Sequence, residues 1–137
     1  MARGQLSVEF FLIVAFILVL TTMILSNAEN SLTETRTLDR MALAKAAVVE
    51  ASQAANLVAV QGNGSSIKRL LFVPPETICF LYDDADGVLY CDTGKNTVRG
   101  PPLLVEPSVY APCLSSGWMT VEITSNETLG INCTISA

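Results

Sequence analysis

Residues 10–25 read FFLIVAFILVLTTMIL, apolar on every side of a helix, with only Thr21 and Thr22 interrupting the run. Counted from Leu6 the stretch is about 20 residues, the length needed to cross the hydrocarbon core of a bilayer, with Glu9 as its single charge. After Ser26 the pattern changes. Leu38, Met41, Ala42, Val48, Val49, Ala55 and Ala59 recur at helical spacing, while Glu34, Arg36, Asp39 and Arg40 fall on other faces, which predicts an amphipathic helix in water. No Gly or Pro occurs at residues 5–61, so both halves belong to one predicted helix over that range. At about 1.5 Å per residue it would span roughly 85 Å, too long to be buried in the remaining chain. It is expected to protrude.

All six Pro and seven of the eight Gly lie from Gly62 onward, which marks a boundary. Gly62, Asn63, Gly64, Ser65 and Ser66 read as a helix stop and loop over 62–66. Beyond it, residues 67–73, 77–82, 88–91, 118–124 and 129–136 are short β-branched or aromatic runs bounded by Pro, Gly and Asp. They predict about five strands in a head over 67–137, with hairpin turns at 83–87 and 125–128. Pro101, Pro102, Pro107 and Pro112 predict an irregular connection between them. The expected class is therefore α+β: a long protruding N-terminal helix, hydrophobic first and amphipathic second, and a small antiparallel β head.

Composition narrows the function. Half of the 137 residues are hydrophobic and only 15% charged, so part of the surface is expected to face lipid or a partner. The net charge is −5 and the basic residues form no stripe, which argues against nucleic acid as a partner. Without histidine the chain has no His-based triad, general base or metal site, and nothing points to an enzyme or a cofactor. Arg3 is the only basic residue before Arg36, and Glu29 and Glu34 follow the apolar run, so the N-terminus is expected in the cytoplasm and everything after Asn27 outside.

On that outer side lie all four cysteines, Cys79, Cys91, Cys113 and Cys133, an even number that argues for disulfides. Three pairings are possible. The favoured one is Cys79 with Cys91 across the 83–87 hairpin, and Cys113 with Cys133. No Cys-x-x-Cys spacing supports a zinc site. Asn63-Gly64-Ser65, Asn126-Glu127-Thr128 and Asn132-Cys133-Thr134 are N-glycosylation sequons, against roughly one expected by chance. Asp83, Asp84, Asp86 and Asp92 are acidic enough to suggest calcium, yet the segment lacks the rest of an EF-hand loop and reads as a solvated turn. No metal site is expected.

The most specific signal is Arg3-Gly4-Gln5-Leu6-Ser7-Val8-Glu9, directly before the apolar run. It resembles the class III signal peptide of archaeal type IV pilins, whose pattern Gln-x-Ser-x-Glu-x-x-x-Leu is matched at Gln5, Ser7 and Glu9, with Ile13 in place of Leu. The resemblance implies a leader over residues 1–4, cleavage by a prepilin peptidase between Gly4 and Gln5, and retention of the helix on the mature protein. It also implies a cytoplasmic assembly ATPase and a membrane platform protein as partners. The motif covers nine residues; the layout of helix and β head extends the likeness over the chain.

Physical chemistry explains why such a layout would polymerise. Glu9 near the end of a membrane helix wants a partner, and one helical turn, about 5.4 Å, separates it from Gln5, so a staggered neighbour could present its new α-amino group. Out of the membrane, burying about 16 apolar side chains at roughly 1.5 to 3 kcal/mol each favours a filament with a helical core. The expected function is thus a structural subunit of a cell-surface pilus, a helical homopolymer for adhesion to surfaces or cells, membrane-anchored before assembly. Two alternatives stand beside it: a membrane-anchored or minor pilin-like binding protein, and a secreted glycoprotein cut after Ala28, since Ser26-Asn27-Ala28 is a small-x-small sequence after an apolar run.

Overall fold

The computed structural model describes the backbone of residues 2–135 and the side chains of residues 8–135. Helix α1 (Ala2–Gln61) is followed by β1 (Ser65–Val73), β2 (Ile78–Asp83), β3 (Val88–Asp92), β4 (Thr97–Pro102), β5 (Pro107–Tyr110), β6 (Gly117–Asn126) and β7 (Thr128–Ile135). The class is α+β, with one long N-terminal helix and a small, disulfide-bonded β region. Two compact units result, one holding α1 as far as Leu38 and the other everything from Asp39 onward.

α1 ends where the first breaker appears. Gly62 takes φ 85°, the left-handed conformation that glycine adopts without a Cβ clash, and its N–H donates to Val58 O at 3.1 Å. The Ser65 hydroxyl lies 2.9 Å from Val58 O and 2.7 Å from Gly62 O, sharing its one hydrogen between carbonyls that already accept the Gly62 and Ser65 N–H groups and so reinforcing the turn that ends the helix. β1 begins at this serine, so the expected loop is shorter than 62–66.

In the second unit α1 lies on two sheets, a four-stranded one in the order β1-β6-β7-β5 and a three-stranded one in the order β2-β3-β4. Its inward stripe is Ala44, Ala47, Val48, Ala51, Ala54, Ala55 and Val58, spaced by three and four residues and mostly alanine. The expected face is only partly right. Val48 and Ala55 are buried and Met41 packs against the core, whereas Leu38 and Ala42 are exposed. This half of the helix carries apolar residues around much of its circumference, and the small ones win the core side because they let the sheet come close.

Gly100 on β4 shows how close. A Cβ there would stand 2.6 Å from Ser52 Oγ, 3.2 Å from Val48 O and 3.3 Å from Leu89 O. Ser52 is buried and donates to Val48 O at 2.8 Å, so its hydroxyl is satisfied within the helix. Beneath the stripe the core is filled by Phe80, Leu89, Val121, Ile123 and Ile131. Phe80 sits at φ 63° in the bulge where the β2–β3 register shifts between Ile78 and Leu81. The bulge lets Cys79 and Phe80, neighbours in sequence, both point inward.

The five expected strands are present, with Ser136 of the last lying outside the described residues, and the hairpins at 83–87 and 125–128 connect β2 to β3 and β6 to β7. Two further strands, β4 and β5, form within the expected irregular connection. Both are edge strands, where a proline that cannot donate to the ladder loses no bond. The head is also mixed rather than wholly antiparallel. β5 pairs in parallel with β7, because the chain crosses past β7 before returning as β6.

Candidate functional site

Candidate functional features occur separately in the two units: the apolar part of α1 in the first, and the disulfides, acidic turn and sequons in the second. Within 8–25 every side chain is exposed, Phe10, Phe11 and Leu12 at 64, 68 and 65%, as on a bare helix. The helix is long and apolar enough to cross a membrane. Its two hydroxyls cost little in hydrocarbon, because Thr21 donates to Ile17 O at 2.7 Å and Thr22 to Val19 O at 2.8 Å. Thr33, Thr35 and Thr37 make the same bond to the preceding turn beyond the apolar segment. Glu9 is exposed on this helix and Ile13 lies one turn further on, 59% exposed. Gly4 falls within the backbone of α1, and the side chains of the motif residues Gln5 and Ser7 lie outside those described. Ser26, Asn27 and Ala28 are also helical and exposed.

The cysteines pair as favoured: Cys79 with Cys91 at a Cα–Cα distance of 4.1 Å and Cys113 with Cys133 at 5.5 Å. The first links β2 to β3. The second ties the segment after β5 to β7. Cys79 and Cys113 are themselves paired through their backbones, so the two bonds form one seam between the sheets. Cys91 Sγ lies 3.7 Å from Ala44 O, which places the seam against α1.

Asp83, Asp86 and Asp92 have structural partners. Arg99 on β4 holds Asp83 at 3.3 Å and also pairs with Asp86. Asp83 accepts the Ala85 N–H at 3.1 Å and Asp92 the Gly94 N–H at 2.8 Å, the short turns that aspartate side chains favour. Among the described residues no group of three or more metal-binding side chains gathers. Beside this turn, desolvation raises the Tyr82 phenol above its ordinary pKa, and the carboxylates of Glu106, Asp84 and Asp83 raise it further. Its ring lies 6.1 Å from that of Tyr110.

Asn63, Asn126 and Asn132 are all exposed. Asn63 accepts the Glu127 N–H and Gly64 donates to Ser125 O at 2.6 Å, so the helix stop and the β6–β7 hairpin meet. Sequence reading did not find Arg99 as the clamp of the acidic turn, nor Asn56, whose amide donates to Pro102 O at 3.0 Å and accepts the Leu104 N–H at 2.8 Å. A half-buried Asn on a helix flank carries no motif; Arg99 could have been suspected from its alternation with inward Val98. Comparison with known proteins returns no match to any family model, characterised protein or solved structure.

Proposed function

We propose that the chain is a pilin-like structural subunit, inserted in the membrane through the first part of α1 and then assembled into a cell-surface filament whose core is built from copies of that helix. The observation that carries this reading is Gln5-x-Ser7-x-Glu9 placed directly ahead of a helical apolar segment with no covering partner in its own unit. A segment of this kind has two stable surroundings, hydrocarbon and a bundle of like helices. In water it has neither.

The disulfides support the outward placement of the second unit, since such bonds persist in oxidising compartments. On this reading a prepilin peptidase cuts between Gly4 and Gln5. A cytoplasmic ATPase and a membrane platform then supply the work of moving each helix from lipid into the filament, because packing in lipid gains little from hydrophobicity itself.

The test is the mature N-terminus of protein taken from native cells, read by mass spectrometry, together with its share of sheared surface filaments. A start at Gln5, free or cyclised, and a major filament band are expected. A start at Glu29 would mean that the apolar helix is removed as a secretory signal. A start at Gln5 with no filament material would leave a membrane-anchored protein.

A further inference from the structure

The three sequons differ in what the fold already does with their polar groups. N-glycosylation needs the amide nitrogen of Asn free to react and the hydroxyl two residues later free to assist. At Asn63-Gly64-Ser65 the amide oxygen accepts the Glu127 N–H, and the Ser65 hydroxyl is spent on Val58 O and Gly62 O at the end of α1. At Asn132-Cys133-Thr134 the sequon lies inside β7, with Asn132 opposite Glu122 in the ladder, Cys133 held by its disulfide and the Thr134 hydroxyl donating to Thr120 O at 3.2 Å. Asn126-Glu127-Thr128 is different. It is the tip of the β6–β7 hairpin, with Asn126 and Thr128 as the closing pair, all three residues exposed and Glu127 between them at φ 64°. Among the described residues neither the Asn126 amide nor the Thr128 hydroxyl has a hydrogen-bond partner within the chain.

We propose that Asn126 is the N-glycan acceptor of this protein and that Asn63 is a positioning residue which shapes the acceptor tip. Asn63 grips the central Glu127 by its N–H, and the Gly64 bond to Ser125 braces the strand just before Asn126. A positive φ at a residue other than glycine is unfavourable, so this grip helps to hold the turn that presents Asn126 and Thr128. In the transfer step Nδ2 of Asn126 bonds to the anomeric carbon of a lipid-phosphate-linked oligosaccharide. The bond from that carbon to the phosphate oxygen breaks, the lipid phosphate leaves with the electron pair, and the amide releases one proton. The proposal rests on the outward placement of the second unit, not on polymerisation.

The test uses full-length protein from the surface of its own cells, with Asn63→Asp, Asn126→Asp and Asn132→Asp variants made one at a time. Aspartate keeps the oxygen acceptor that Glu127 needs at position 63 and removes the nitrogen that would carry sugar. Intact mass and glycopeptide mapping should show the glycan fully lost in Asn126→Asp and in Thr128→Ala, and retained in the other two. Asn63→Ala, which removes the grip but not the acceptor, should lower occupancy of Asn126 by about twofold or more. Disulfide mapping of the same sample reports placement independently. Intact disulfides with a bare Asn126, or with sugar on Asn63 or Asn132 at equal occupancy, would overturn the proposal, and free thiols would overturn it together with the outward placement.

Discussion

Cys79 and Cys113 exchange both backbone hydrogen bonds, Cys79 N–H to Cys113 O at 3.3 Å and Cys113 N–H to Cys79 O at 2.9 Å, yet each is disulfide-bonded to a different cysteine. The seam therefore runs from β3 to β2 by one disulfide, from β2 to the segment after β5 by backbone pairing, and on to β7 by the other. Closing the two loops contributes about 3 kcal/mol each in the chain-entropy account. In a small unit that meets α1 mainly through alanine, that is a substantial share of what the core can supply.

Proximity makes one rearrangement available. Cys91→Ala leaves the Cys79 thiol beside the Cys113–Cys133 bond, placed to attack it. Non-reducing peptide maps of this variant at mildly alkaline pH are expected to show a Cys79–Cys113 link and a free Cys133. Retention of Cys113–Cys133 alone would show that the neighbouring sulfurs are held apart despite the backbone pair.

Gly100 and Ser52 are a tighter test of how α1 sits on β4. Gly100→Ala puts a methyl 2.6 Å from Ser52 Oγ, so it should cost about 1–3 kcal/mol, read as a lower denaturation midpoint with unchanged slope. Ser52→Ala removes the nearest atom. The double variant should recover at least about 0.5 kcal/mol of the sum of the singles, the sign of direct contact. Additive losses would place the strain elsewhere, on Val48 O or Leu89 O.

Asn56 pins the connection between β4 and β5 to the helix flank. Asn56→Ala leaves Pro102 O and the Leu104 N–H to water and should cost about 0.5–1.5 kcal/mol, with faster amide exchange at Leu104. Asn56→Asp keeps the acceptor for Leu104 but turns a carboxylate oxygen toward Pro102 O. It should therefore be no more stable than the alanine variant, and a nearly wild-type midpoint would show that the amide bonds are incidental.

How much of this was legible in the sequence follows from the same residues. α1 could be read because Gly and Pro are absent until Gly62, and the hairpins because aspartates and Gly87 on one side and Asn126 with Glu127 on the other carry turn chemistry. β4 and β5 were hidden by Pro101, Pro102 and Pro107, since an edge position for a proline depends on which strands lie beside it. The core face of α1 was obscured by its own composition. Leu38 and Leu57 have the larger apolar side chains, but Ala44, Ala47, Ala51 and Ala55 meet the sheets, and only the closeness demanded by Gly100 selects them. For the candidate site the balance is reversed: the Gln5-x-Ser7-x-Glu9 pattern is a feature of the sequence, and the fold adds the bare helix that follows it. The distinction among the three sequons came only from the fold, through the hydroxyls of Ser65 and Thr134.

Glu9 is expected to govern assembly rather than insertion or folding. It is the single charge in an apolar stretch of about 20 residues, tolerable only near an interface or beside a partner. Glu9→Gln keeps the shape and some hydrogen bonding but removes the charge that would pair with a neighbour's α-amino group. Glu9→Ala removes both and should be at least as damaging to assembly. Each change leaves the segment more apolar, hence at least as good an anchor, and residue 9 lies outside the disulfide-bonded unit from Asp39 onward. Both variants should therefore reach the membrane, start at Gln5 and carry both disulfides, while filament counts fall at least about tenfold. Normal filaments from Glu9→Ala would show that the carboxylate does not set the stagger between neighbouring helices. Loss from the membrane fraction as well would show that Glu9 acts before assembly, in insertion or processing.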